Sequence, residues 1–150
     1  MPKTVLVCDD DDSVRAILTR VLSPHYAVTG ATGGSDALAR IREHCPDLVL
    51  LDMRMPGLTG LDTLKAYHKT NPLLPTVVLT SDQEPEDAAL ALQLGARIYI
   101  TKPFEASVVL DEVHRILGTV TQAEDRRERP PWRVNSDPAP SPVWEQGRQS

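Results

Sequence analysis

The chain has 150 residues, 41% hydrophobic and 25% charged, enough for one domain with a substantial core and too few for two of ordinary size. Its net charge of −5 falls within residues 1–118, which carry 16 acidic and 11 basic side chains, while 119–150 carry five of each; this balance argues against a nucleic-acid-binding surface. With no secretory leader and no eighteen-residue apolar stretch, Cys8 and Cys45 are expected to be reduced thiols of a cytoplasmic protein that does not enter membranes, and their spacing suits no zinc site.

Residues 3–8 (KTVLVC) form an apolar run rich in β-branched side chains and read as a first strand. Four aspartates, Asp9 to Asp12, follow it directly. Behind them Val14, Ile17, Leu18, Val21 and Leu22 recur at helical spacing, a stripe that faces a core. A weaker strand is expected at 26–30 (YAVTG), and stronger ones at 47–51 (DLVLL), 75–80 (PTVVLT) and 97–101 (RIYIT). Further helical stripes lie at Leu61, Leu64 and His68, at Ala88, Ala91 and Leu92, and at Val109, Val113, Ile116 and Leu117, with Gly95 and Gly118 placed where helix C-terminal glycines belong. Strands that are apolar throughout and alternate with helices predict five βα units around a parallel sheet covered on both faces, ending near Gly118. Residues 119–150 hold five of the thirteen prolines and no sustained period, which predicts a disordered tail. That tail carries Trp132 and Trp144, so it is either a flexible extension or a docking segment whose aromatics find a groove on a partner. It is too short for a DNA-binding output domain, so the chain either works through contacts alone or is cut from a longer one.

In an open parallel sheet, ligands bind beyond the carboxyl ends of the strands, where the strand order reverses. Asp9 and Asp10 end the first strand and Asp52 the third; in the order 2-1-3-4-5 these strands are neighbours and the three carboxylates converge. Such a cluster repels itself unless a hard divalent cation such as Mg²⁺ compensates it. Part of the run has a simpler role, since Asp11 or Asp12, the second being favoured, suits a helix N-cap. An EF-hand loop fits poorly, for want of a glycine at its sixth position and a glutamate at its twelfth. Thr80 ends the fourth strand in VVLTS and Lys102 the fifth in ITKPF, on the same edge. Three carboxylates, a hydroxyl and an ammonium around one crevice suit phosphoryl transfer, with one carboxylate attacking phosphorus to give an aspartyl phosphate.

The motifs VLVCDD, LVLLDMRMPGLTG, VVLTS and YITKPF, in this order and spacing, resemble the receiver domain of two-component response regulators over residues 3–118. The resemblance implies a flavodoxin-like (βα)5 doubly wound α/β fold of order 2-1-3-4-5. It implies that Asp52 accepts the phosphoryl group from a phosphohistidine, on a sensor histidine kinase or phosphotransfer protein. Asp9, Asp10, Asp52 and the Arg54 carbonyl would hold Mg²⁺, and Thr80 and Lys102 would contact the phosphoryl group. Tyr99 matches the family's switching aromatic, although a tyrosine there also fits as an ordinary strand residue. The Lys102-Pro103 peptide is expected to be cis. Such a protein is no enzyme in the ordinary sense: it catalyses only its own phosphorylation and slow dephosphorylation. Its output is a changed surface of the fourth helix, fifth strand and fifth helix that controls a downstream protein, as a monomer or a phosphorylation-dependent dimer.

The sequence departs mildly from that pattern, with Cys8 where a small apolar residue is usual and the bulky cation Arg54 two positions beyond the acceptor. Arg54 and Asp82, each two residues after a site residue, are expected to rim the opening through which water reaches the phosphoryl group, and to slow hydrolysis if they pair. A haloacid-dehalogenase phosphatase would carry a second aspartate where Arg54 stands. A flavodoxin-type electron carrier would need a Thr/Ser/Gly-rich phosphate loop where the four aspartates lie.

Overall fold

The computed structural model describes residues 2–81 and 85–118. In chain order its elements are β1 (Thr4–Cys8), α1 (Asp12–Leu22), β2 (Ala27–Ala31), α2 (Gly34–Glu43), β3 (Leu48–Asp52), α3 (Gly60–His68), β4 (Thr76–Ser81), α4 (Pro85–Gln93), β5 (Ile98–Lys102) and α5 (Ala106–Leu117). The five strands form one parallel sheet in the order β2-β1-β3-β4-β5. The expected strands fall within a residue or so of these bounds, inside the usual ambiguity of element ends. The tail, with Trp132 and Trp144, lies outside the described residues.

Alternate side chains of each strand leave on opposite faces, and the two cores follow that rule. Val5, Val7, Leu48, Leu50, Val77, Leu79, Ile98 and Ile100 pack with Leu18 and Leu22 of α1 and Val109 and Val113 of α5. Leu6, Cys8, Val49, Leu51 and Val78 pack on the other face with Ala37 and Ile41 of α2, Leu64 and Tyr67 of α3 and Ala91 of α4. Burial on both sides explains why β1, β3 and β4 read as continuous apolar runs. Edge strand β2 alternates between exposed and half-buried residues before Ala31, hence its weaker signal.

Helix ends follow from local chemistry. Asp11 is the N-cap of α1, its carboxylate accepting from the backbone N–H of Ser13 and Val14, and Asp12 is the first helical residue. The expectation that favoured Asp12 as the cap is therefore off by one: extended backbone at Asp11 lets its short side chain reach back to those two donors. Gly118, at φ 70° and ψ 30°, caps α5 in the left-handed region. Gly95 has φ 115°, and a side chain there would overlap the His68 ring, which lies half-buried against it. Ile17, placed by its spacing on the core stripe, is 47% exposed, because Leu18 and Leu22 fill the face that meets the sheet.

Candidate functional site

The reversal of strand order between β1 and β3 brings their carboxyl ends side by side, with Cys8 opposite Leu51. The next residues, Asp9 and Asp52, are buried, and Asp10 is exposed at the rim. One carboxylate oxygen from each of Asp9, Asp10 and Asp52 lies within 4.8 Å of the others. Lys102, at the end of β5, reaches across with Nζ 3.1 Å from Asp9 Oδ2 and 3.2 Å from Asp52 Oδ1. The Lys102-Pro103 peptide is cis, as the resemblance implies.

The charges are unequal. Burial first, then Asp9, raises the Asp52 pKa from 3.8 to about 6, while Lys102 and a 3.2 Å hydrogen bond from the Arg54 backbone N–H work against the rise. Burial opposes the charge of Lys102, but Asp52 and Asp9 outweigh it and the ammonium's pKa rises. Lys102 thus pairs with two of the three clustered carboxylates, Asp9 and Asp52. An all-oxygen donor set with surplus negative charge fits a hard divalent cation that keeps several waters, and Asp9, Asp10 and Asp52 are the residues that could hold it.

Asp9 is fixed at each of its polar atoms. Its N–H donates to the Ala31 carbonyl at 3.1 Å, and its Oδ1 accepts from the Asp11 N–H at 2.9 Å. Its Oδ2 meets Lys102, and its carbonyl accepts from Arg15 Nη1 at 2.8 Å. Nothing in the sequence singles out Arg15, since a cation three residues after Asp12 on a helix reads as a surface ion pair.

Thr80, 2% exposed, stands near the end of β4, with its hydroxyl donating to the Ser81 carbonyl at 3.3 Å. Registers Val78↔Tyr99 and Thr80↔Thr101 place Thr80 and the half-buried Tyr99 on one face of the sheet as diagonal neighbours. Arg54 is exposed, and Asp82 lies outside the described residues. Cys8 Sγ donates to the Gly33 carbonyl at 3.6 Å and lies 3.4 Å from Met55 Sδ. Burial, then Asp52 and Asp9, pushes that thiol up to about 12, so it remains protonated and inert.

The loop after Asp52 turns at Gly57, with φ 78°, and returns at Gly60. A Cβ at Gly60 would lie 2.5 Å from the Asp52 carbonyl oxygen and 2.7 Å from Met53 Cα, so only glycine lets α3 start against the back of the acidic strand end.

Residues 5–114 match the family model of the response regulator receiver domain. The chain is 39% identical over 126 residues to the DNA-binding response regulator MtrA of Mycolicibacterium smegmatis, covering 83% of this chain and 54% of that protein. It is 34% identical over 124 residues to the DNA-binding transcriptional regulator NtrC of Salmonella typhimurium, covering 82% of this chain and 26% of that one. The chain thus spans between about a quarter and a half of the length of these curated relatives. Among solved structures, the receiver domain of NtrX from Brucella abortus superposes with a TM-score of 0.72 at 34% identity, covering 77% of this chain and 99% of that one.

Proposed function

The chain belongs to the response regulator receiver domain family, and from that premise we propose that it is a phosphorylation-controlled switch whose acceptor is Asp52. The observation that carries the reading is the buried Asp52 carboxylate, held by Lys102 Nζ at 3.2 Å beside Asp9 and Asp10. Asp9, Asp10, Asp52 and the Arg54 carbonyl would hold Mg²⁺, which when bound supplies positive charge against the developing charge on the phosphoryl oxygens.

An Asp52 carboxylate oxygen attacks the phosphorus of a phosphohistidine presented by a sensor kinase or phosphotransfer protein. The P–O bond forms as the P–N bond breaks, and the imidazole leaves with the electron pair and takes up a proton. Lys102 places its ammonium on one equatorial oxygen, and Thr80 donates its hydroxyl to another, leaving the Ser81 carbonyl to do so. Hydrolysis later reverses the modification: water attacks phosphorus, the acyl-phosphate P–O bond breaks, and Asp52 and inorganic phosphate are released. The movement of Thr80 draws Tyr99 inward and alters the α4-β5-α5 surface, a two-state equilibrium biased by a new anion and its metal. The partner that reads this surface is a downstream protein. No helix among the described residues is long and apolar enough to cross a membrane, and a cytoplasmic location is part of the proposal.

Intact-mass analysis after incubation with Mg²⁺ and a small phosphodonor tests the assignment. One phosphoryl adduct is expected, absent in EDTA and absent in Asp52→Asn. Undiminished labelling of Asp52→Asn would exclude Asp52 as the acceptor.

A further inference from the structure

Asp9 and Asp10 are chain neighbours, and successive side chains of an extended strand point to opposite faces. Yet a carboxylate oxygen of each lies within 4.8 Å of the other and of Asp52. The peptide joining them must therefore leave strand geometry, and its orientation decides where the Asp10 carboxylate goes. Its carbonyl oxygen is the atom that Arg15 Nη1 holds at 2.8 Å.

Arg15 is well placed for this. Its backbone N–H makes a first helical bond of α1, to the Asp11 carbonyl at 3.1 Å, and its Nη2 pairs with the Asp12 carboxylate. Its stem lies over β2, where a Cβ on Gly30 would stand 3.6 Å from Arg15 Cδ. The side chain is only 21% exposed. A guanidinium carries its donors in a rigid planar fork, so fixing one nitrogen on Asp12 aims the other at the carbonyl. Lys102 binds the Asp9 and Asp52 carboxylates themselves, whereas Arg15 binds the backbone carbonyl behind them and not the Asp9 carboxylate.

We infer that Arg15 is a positioning residue for the divalent cation: it holds the Asp9-Asp10 peptide so that both carboxylates face one site. This rests on the reading of Asp9, Asp10 and Asp52 as the cation's ligands. Mg²⁺ demands near-ideal octahedral geometry and Ca²⁺ accepts a looser shell, so a slackened peptide penalises Mg²⁺ more than Ca²⁺.

The test is calorimetric titration of the full chain with each cation, alongside thermal unfolding in EDTA, for wild type, Arg15→Ala, Arg15→Lys, Asp12→Ala and Asp10→Asn. Loss of such an outer partner weakens metal affinity by roughly 10–100-fold. Arg15→Ala is expected to lose about 10-fold in Mg²⁺ affinity and clearly less in Ca²⁺ affinity. Arg15→Lys, with one donor and no fork, should recover part of that loss, and Asp12→Ala should show a smaller one. Should Arg15→Ala fail to fold, Arg15→Lys and Asp12→Ala carry the comparison. Mg²⁺ affinities within twofold of wild type overturn the role, as does an equal loss for both cations with a lowered melting temperature, the mark of a structural brace alone. A wild type that binds no Mg²⁺, or an Asp10→Asn variant that binds it unchanged, overturns the ligand assignment and this role with it.

Discussion

At Asp52, burial and the neighbouring Asp9 hold the carboxyl's pKa near 6 against an ordinary 3.8. Between those values the native state keeps a proton that the unfolded chain has given up, so the metal-free protein loses stability as pH rises from about 4 to 6. Asp52→Asn removes that penalty. In EDTA at pH 7 it is expected to be more stable than wild type by at most about 3 kcal/mol, with the gain shrinking as pH falls through 6 and gone near pH 4. Thermal unfolding across that range checks it, and equal stability at pH 7 would mean that Lys102 fully offsets the charge. Two residues further on, Arg54 bears on rates instead. An exposed ion pair with Asp82 would contribute only about 0–1 kcal/mol to stability, so its effect belongs in the lifetime of the aspartyl phosphate. Arg54→Ala and Asp82→Ala are both expected to lose the label faster than wild type after donor removal, with melting temperatures unchanged. Identical decay rates would make Arg54 an ordinary surface residue.

Among the elements, the turn from β3 into α3 is set by a steric limit. A methyl group at Gly60 would press on the Asp52 carbonyl at 2.5 Å and on Met53 Cα at 2.7 Å, both backbone atoms that cannot swing aside. Gly60→Ala should therefore destabilise the fold by about 1–3 kcal/mol, the usual cost of overpacking, and slow phosphodonor labelling of Asp52 by shifting its strand end. Labelling at the wild-type rate with an unchanged melting temperature would mean that the loop yields freely. The strands were legible because β1, β3 and β4 are apolar along their length, and with them the convergence of Asp9, Asp10, Asp52 and Lys102. Helix α2 gave no stripe that stood out, since Ala37 and Ile41 are its buried apolar residues and Arg40 and Arg42 interrupt the pattern. Asp12 was legible as a helix-start residue, yet which aspartate caps depends on the backbone angle at Asp11. Arg15 was legible only as an ion-pair partner of Asp12, for a related reason: its partner at the site is a carbonyl oxygen, which residue types do not reveal.

Across the whole molecule, the acidic site and the surface that the proposal requires to change are joined through β4 and β5. Thr80 and Tyr99 stand on one face as diagonal neighbours on those strands, and α4 covers the same face, with Ala91 in that core. The described buried side chains of α4 are alanines, Ala88 and Ala91, whereas α1 buries Leu18 and Leu22. Leu92 adds a half-buried contact to that core, but alanine removes less apolar area from water than leucine, so displacing α4 is expected to cost less than displacing α1. Moving an equilibrium from 1:99 to 99:1 takes about 5.5 kcal/mol of differential binding, and a lightly anchored helix keeps the starting imbalance within reach of one phosphoryl group and its metal. Amide hydrogen exchange of the full chain, before and after labelling with Mg²⁺ and a small phosphodonor, should change in α4 and β5 while β1 and β3 stay protected. Thr80→Ala should still acquire label on Asp52, more slowly, yet leave the exchange of α4 and β5 as in the unlabelled protein, because the hydroxyl that the proposed switch places between the anion and Tyr99 is gone. If labelled Thr80→Ala shows the wild-type change in α4 and β5, the signal reaches that surface by a route that does not pass through Thr80.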